Sequence, residues 1–117
     1  MSRSADDFVS RLVAAVPALA SVYREHIADN DEPLPHVFMG DVTRFAIAGA
    51  EHEDSADSLS TLLALLEGGL NSGDSDVAEL IGVSFVENLC GEDNAIQSLL
   101  PRMGKSLRQE TKRICGV

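Results

Sequence analysis

Leu59, Leu62, Leu63, Leu66 and Leu70 follow the three- and four-residue steps that put side chains on one stripe of an α-helix. A stripe of that kind needs a cover, and the chain supplies one at once. Gly73 closes the segment, Asp74 or Ser75 can cap the next, and Val77, Leu80, Ile81, Val83, Phe85, Val86 and Leu89 follow over residues 76–89. These surround most of a helical circumference, the pattern of a helix at the centre of a core. The pair reads as an α-hairpin, like the stacked helical pairs of solenoids, an analogy of fold that carries no activity.

The remaining segments agree with helices. Ser4 can cap a first helix whose apolar positions are Phe8, Leu12, Ala15 and Val16, with Asp6 and Asp7 in the first turn where the macrodipole favours them. Pro17 ends or kinks it, and a second segment runs from Ala18 to about Ala28 over Leu19, Val22, Tyr23 and Ile27. The joint from Asp29 to Pro35 is a breaker. Residues 36–50 repeat apolar side chains at Phe38, Val42, Phe45, Ala46 and Gly49, which fits a helical face. A β-hairpin turning at Gly40-Asp41 competes, because Val37, Val42, Thr43 and Ile47 are β-branched. A last segment from about residue 94 to residue 115 bends at Pro101. The expected fold is all-α: one domain over residues 1–117, an irregular bundle or short array of about six helices.

At 117 residues the chain can bury roughly two thirds of its unfolded surface in one core. Aromatics are few, so Leu, Val, Ile and Ala must fill it. Cys90 and Cys115 are too few for a secreted disulfide framework. Reduced thiols and a cytoplasmic location are therefore expected. The apolar run Leu12 to Ala20 is too short to span a bilayer, which takes roughly 18 residues, and it is preceded by Asp6, Asp7 and Arg11.

Charge is distributed unevenly. Residues 1–94 carry 18 Asp and Glu against 4 Lys and Arg, residues 95–117 carry 1 against 5, and the whole chain is at −10. A body so negative repels phosphate and suits a basic protein partner; neither nucleic acid nor membrane is expected as a partner. Asp29, Asp31, Glu32, Glu51, Glu53, Asp54 and Asp57 flank the third segment, which as a 15-residue helix would be about 22 Å long. They are the candidate partner-binding residues. Fields of this kind speed encounter by about 10–10³-fold and are screened over about 8 Å at physiological salt. Solubility alone also accounts for an acidic surface. In the C-terminal segment Arg102, Lys105, Arg108, Lys112 and Arg113 share one helical face, while Leu99, Met103, Leu107 and Ile114 suit docking on the acidic body.

Asp41 and Arg44 are three apart beside the apolar face of the third segment, and Glu87 holds a similar place on the central helix. The expected outcome is a partly buried Asp41–Arg44–Glu87 network that fixes helix register, since buried charges persist when paired. A metal-dependent hydrolase built on Asp41, Glu87 and a histidine is the less favoured alternative, because no His or Cys stands at ligand spacing. Glu51-His52-Glu53-Asp54 reads as a solvated acidic turn, and no nucleotide-loop, zinc-protease or hydrolase motif occurs. No metal, no cofactor and no catalysis are expected.

The segments Leu34 to Arg44, Leu65-Leu66-Glu67 to Gly73-Asp74, and Ser84 to Leu89 resemble a family of short, largely uncharacterised, all-helical bacterial proteins. Several of these resemble immunity proteins encoded beside polymorphic toxins. The resemblance runs from about Val16 to Leu107 and brings no catalytic residue. It implies a non-enzymatic binding module that neutralises a basic toxin by occlusion. The alternative is a structural or regulatory scaffold whose homodimer buries the leucine stripe or the C-terminal helix.

Overall fold

Apolar spacing and breakers settle most of the element boundaries. The computed structural model describes residues 3–32 and 34–117, without the side chains of Arg3 and Glu53. Helix α1 spans Arg3–Ala15, α2 Leu19–Asn30, α3 Pro35–Gly49 and α4 Ala56–Leu70, the last entered through a 3-10 turn at Glu53–Ser55. The rod α5 joins an α-helical turn Ser75–Glu79, a π-helical stretch Leu80–Val86 and a final turn Glu87–Leu89. Helix α6 spans Asp93–Leu99 and, after a 3-10 turn at Leu100–Arg102, α7 spans Lys105–Cys115. Among the described residues there are seven helices and no strand.

Residues 36–50 form a helix and not a hairpin, with Pro35 preset for the first turn and Phe38, Met39, Val42, Thr43 and Ala46 buried. Ser4 lies inside α1, and its hydroxyl bonds to Asp74 on α5. Ala15 is exposed, while Phe8, Leu12 and Val16 form the buried face. Asp31 ends α2 in the left-handed region at φ 64°, which Asp tolerates better than most residues, and its amide returns to the Ile27 carbonyl at 2.8 Å. Asp74 caps α5 by accepting from the amides of Asp76 at 3.0 Å and Val77 at 3.2 Å. The Ser4 hydroxyl and these amides hold its carboxyl below the usual range.

One hydrophobic cluster draws on every helix, with Leu12, Leu19, Phe38, Leu59, Leu62, Leu66, Phe85 and Leu107 essentially solvent-free. The radius of gyration is 13.1 Å, close to the ~13 Å of a single compact unit of this length. At the α4–α5 contact a Cβ on Gly69 would stand 2.7 Å from Ile81 Cδ1 and 2.9 Å from Phe8 Cε1. Only glycine allows three elements to meet there.

The central rod packs along α3, as its apolar circumference requires, but it is not a regular α-helix. A π stretch adds a residue per turn and leaves carbonyls without their ordinary partners. Side chains take them over. The Thr43 hydroxyl lies 3.0 Å from the Phe85 carbonyl and 3.0 Å from that of Met39, and the Asn88 amide donates to the Ser84 carbonyl at 2.6 Å. His36 Nδ1 meets the Ser84 hydroxyl at 2.5 Å, a further tie between α3 and the π stretch.

Two expectations for the C-terminal segment are corrected. It is not one bent helix, because Pro101 and Gly104 separate α6 from α7. Its cysteine is not a free thiol. Packing of α7 against α5 brings Cys115 to a Cα–Cα distance of 5.1 Å from Cys90, and the two form a disulfide. The helix does dock through Leu107 and Thr111, which are fully buried. Its start is capped from another helix. The Glu67 carboxylate of α4 accepts the amides of Ser106 at 2.9 Å and Leu107 at 2.7 Å. A Cβ on Gly104 would lie 2.5 Å from Glu67 Cδ, so glycine keeps that approach open.

Candidate functional site

Helices α2 and α3 run into each other through a short joint, and the faces they turn to one another do not close. The cleft left between them has a volume of about 580 Å³. Val22, Glu25, His26 and Asp29 line it from α2, at the three- and four-residue steps of one helical face. Val37, Asp41, Arg44 and Phe45 line it from α3 by the same spacing. Apolar side chains form its floor. Val37 remains 52% exposed, one of only three large hydrophobic side chains so open among the described residues.

His26 is the buried hinge of this region. The amide of Leu34 donates to its Nε2 at 3.0 Å, and the Asn30 side-chain amide lies 3.3 Å from its Nδ1. Nδ1 also faces Asp41 Oδ2 at 3.8 Å. The ring also packs against Tyr23 and Phe38, with centroids 6.4 and 5.6 Å away. Asp41 forms an ion pair with Arg44, whose side chain is largely exposed at the rim. Glu25 and Asp29 form no ion pair with any described residue. The cleft therefore holds three carboxylates and one guanidinium over an apolar floor.

The acidic candidates divide into separate groups. Asp29 lines the cleft, and Asp31 and Glu32 lie exposed at the end of α2 beside it. Glu51, Asp54 and Asp57 lie exposed at the far end of α3, which at 15 residues is about 22 Å away. The side chain of Glu53 lies outside the described residues. None of the described six takes part in an ion pair with another described residue. They flank α3 at both ends and do not make one patch.

The polar trio is likewise divided. Asp41 and Arg44 pair, but Glu87 is exposed in a different groove, between α5 and α7, with Val83, Glu110 and Arg113. The side of α5 turned to α3 carries Ser84 and, four residues on, Asn88, which would meet a Cβ on Gly40 at 3.4 Å, while Glu87 lies in the α5–α7 groove. His26 takes the third position instead of Glu87. Its burial leaves no trace in sequence spacing, since a single polar residue on a partly apolar face reads equally well as exposed.

The C-terminal cations also behave differently from the expected complement to the body. Arg113 pairs with Glu110 of its own helix at 2.8 Å, and Arg108 donates to the carbonyls of Leu100 and Met103. No ion pair links them to the described acidic body. Among the described residues no group of three or more His, Cys, Asp or Glu is arranged to hold a metal ion, and no helix is long and apolar enough to cross a membrane.

Residues 9–116 match the domain of unknown function DUF7674. The chain belongs to the DUF7674 family. Membership spans nearly the whole fold, from α1 through the end of α7, so the α2–α3 cleft and the disulfide both fall within the DUF7674 region. No curated protein and no solved structure matches the chain.

Proposed function

We propose that this DUF7674 protein is a non-enzymatic binding module that receives a basic protein partner on the acidic surface around α2 and α3. The specific form of the proposal is toxin neutralisation: the partner is a basic toxin, and the bound chain covers its active site. The observation that carries the reading is the unpaired state of Glu25, Asp29, Asp31, Glu32, Glu51, Asp54 and Asp57, each without an ion-pair partner among the described residues. Such carboxylates keep their field for an incoming cation, while a core of tightly buried leucines holds them in place. Encounter speed would come from the rim and affinity from a few apolar contacts at the centre.

A homodimeric scaffold is the second reading. Its proposed interfaces have less to offer, because Leu59, Leu62, Leu63 and Leu66 already lie in the core and α7 is docked through Leu107. A dimer that persists on dilution in sedimentation would favour it. Cytoplasmic residence belongs to the toxin reading, and the Cys90–Cys115 bond opposes it, since disulfides persist mainly in oxidising compartments.

The test is co-expression with the product of the adjacent reading frame, followed by association kinetics of the purified pair. Replacing Asp29, Asp31, Glu51 and Glu53 with their amides should slow association and flatten its dependence on salt. An association rate unchanged by all four substitutions would sink the acidic-rim mechanism.

A further inference from the structure

We propose that the α2–α3 cleft seats an arginine or lysine side chain carried on an apolar segment of the partner protein. The proposal rests on the protein-binding reading and gives it an address and a chemistry. Three observations carry it. Glu25 and Asp29 stand four residues apart on one face of α2 with no cation between them, although like charges at that spacing repel. Asp41 faces them from α3 and shares Arg44, so the cleft has a surplus of two negative charges.

The second observation is the floor. Val22, Val37 and Phe45 are only partly covered, and Val37 is more than half exposed. A hydrated metal ion or a bare anion gains nothing from such a floor. The side chain of arginine or lysine does, because its methylene stem lies on apolar surface while its head reaches carboxylates. The third is size. A cleft of about 580 Å³ is within the range that encloses a short run of side chains. The occupant is thus a basic residue with apolar neighbours, and its head would sit among Glu25, Asp29 and Asp41.

Arg44 bears on specificity. Its guanidinium occupies Asp41 in the free protein and its side chain is 72% exposed, so it can swing aside when a partner cation arrives. A small free amine lacks the flanking apolar residues and would leave Val37 uncovered.

The probe is the capped peptide Ac-Leu-Arg-Leu-NH2, titrated into the isotope-labelled full chain and read by nuclear magnetic resonance. Shifts should concentrate on Val22, His26, Val37 and Phe45. The double variant Glu25→Gln/Asp29→Asn should weaken binding about fivefold, as expected from losing two exposed charge pairs. The control Glu51→Gln/Asp54→Asn, at the other end of α3, should bind as the natural chain does. Shifts scattered over all acidic surfaces, or equal loss in the control, would overturn the cleft. So would spermidine matching the peptide at the same residues, which would make this a small-amine site. Shifts at these residues on raising protein concentration alone would assign the cleft to a second copy. A partner that binds the double variant at the full rate would remove the cleft and leave the protein-binding reading standing, whereas failure to find any partner leaves the peptide map to decide the cleft by itself.

Discussion

Replacing Glu67 with alanine should loosen the attachment of α7 without touching its apolar face. Helix α7 begins after Gly104, whose extended backbone offers no side chain to its first amides, and Glu67 of α4 takes the amides of Ser106 and Leu107. Loss of a capping acceptor costs about 1–2 kcal/mol. At roughly 2.1 cal/mol/K of unfolding entropy per residue, a chain of 117 residues loses about 4 °C of melting temperature per kcal/mol, so Glu67→Ala should melt about 4–8 °C lower. Glu67→Gln keeps an acceptor but loses the charge and should fall between the two. The pH dependence has a definite sign. Burial works to raise the Glu67 pKa, and the hydrogen bonds from the Leu107 and Ser106 amides, with Asn71 and the Ser106 hydroxyl, outweigh it and hold the carboxyl below its ordinary 4.5. A carboxylate whose folded pKa is depressed contributes its full stability above the unfolded value and loses it as pH falls through the folded one. The gap between the natural chain and Glu67→Gln should therefore be full above 4.5 and shrink below it. Circular dichroism melts across that range read the gap, and hydrogen exchange at Ser106 and Leu107 reads the cap itself. Equal melting temperatures at neutral pH, or a gap indifferent to acid, would refute the reasoning.

Gly69→Ala should destabilise the chain by about 1–3 kcal/mol, seen as a lower urea midpoint, because its Cβ would collide with Ile81 and with the stiff ring of Phe8. Reducing the Cys90–Cys115 bond, or replacing both cysteines with alanine, should cost about 3.5 kcal/mol for a 25-residue separation, or roughly 14 °C of melting temperature. An unchanged melt after verified reduction would show that α7 stays in place without the bond.

Much of the fold was legible because the decisive signals were local. The leucine steps of α4, the Gly73-Asp74 joint and Pro17 each act within a few residues, and the structure follows them. The third segment was ambiguous in sequence because its β-branched residues suit a strand, while the burial of Phe38, Val42 and Ala46 depends on packing against other helices, such as Phe38 against the ring of Tyr23 on α2. What could not be read depends on partners distant in the chain. The π stretch is sustained by Thr43, some 42 residues before Phe85. The α7 cap comes from Glu67, which in sequence is one more acidic residue on an amphipathic helix. The disulfide needed α7 to lie along α5 before Cys90 and Cys115 could meet. At the candidate site, Asp41 with Arg44 was a local, helix-spaced pair and was visible. The burial of His26 was not, because it depends on the Leu34 amide and on the rings of Tyr23 and Phe38 around it.

The most direct check on the account is a hydrogen-exchange map of the complex with the adjacent reading frame's product. New protection should gather on α2 and α3 along the walls of the cleft, and it should weaken as salt rises. Protection confined to α6 and α7, indifferent to salt, would contradict the claim that the acidic α2–α3 face is where this protein meets its partner.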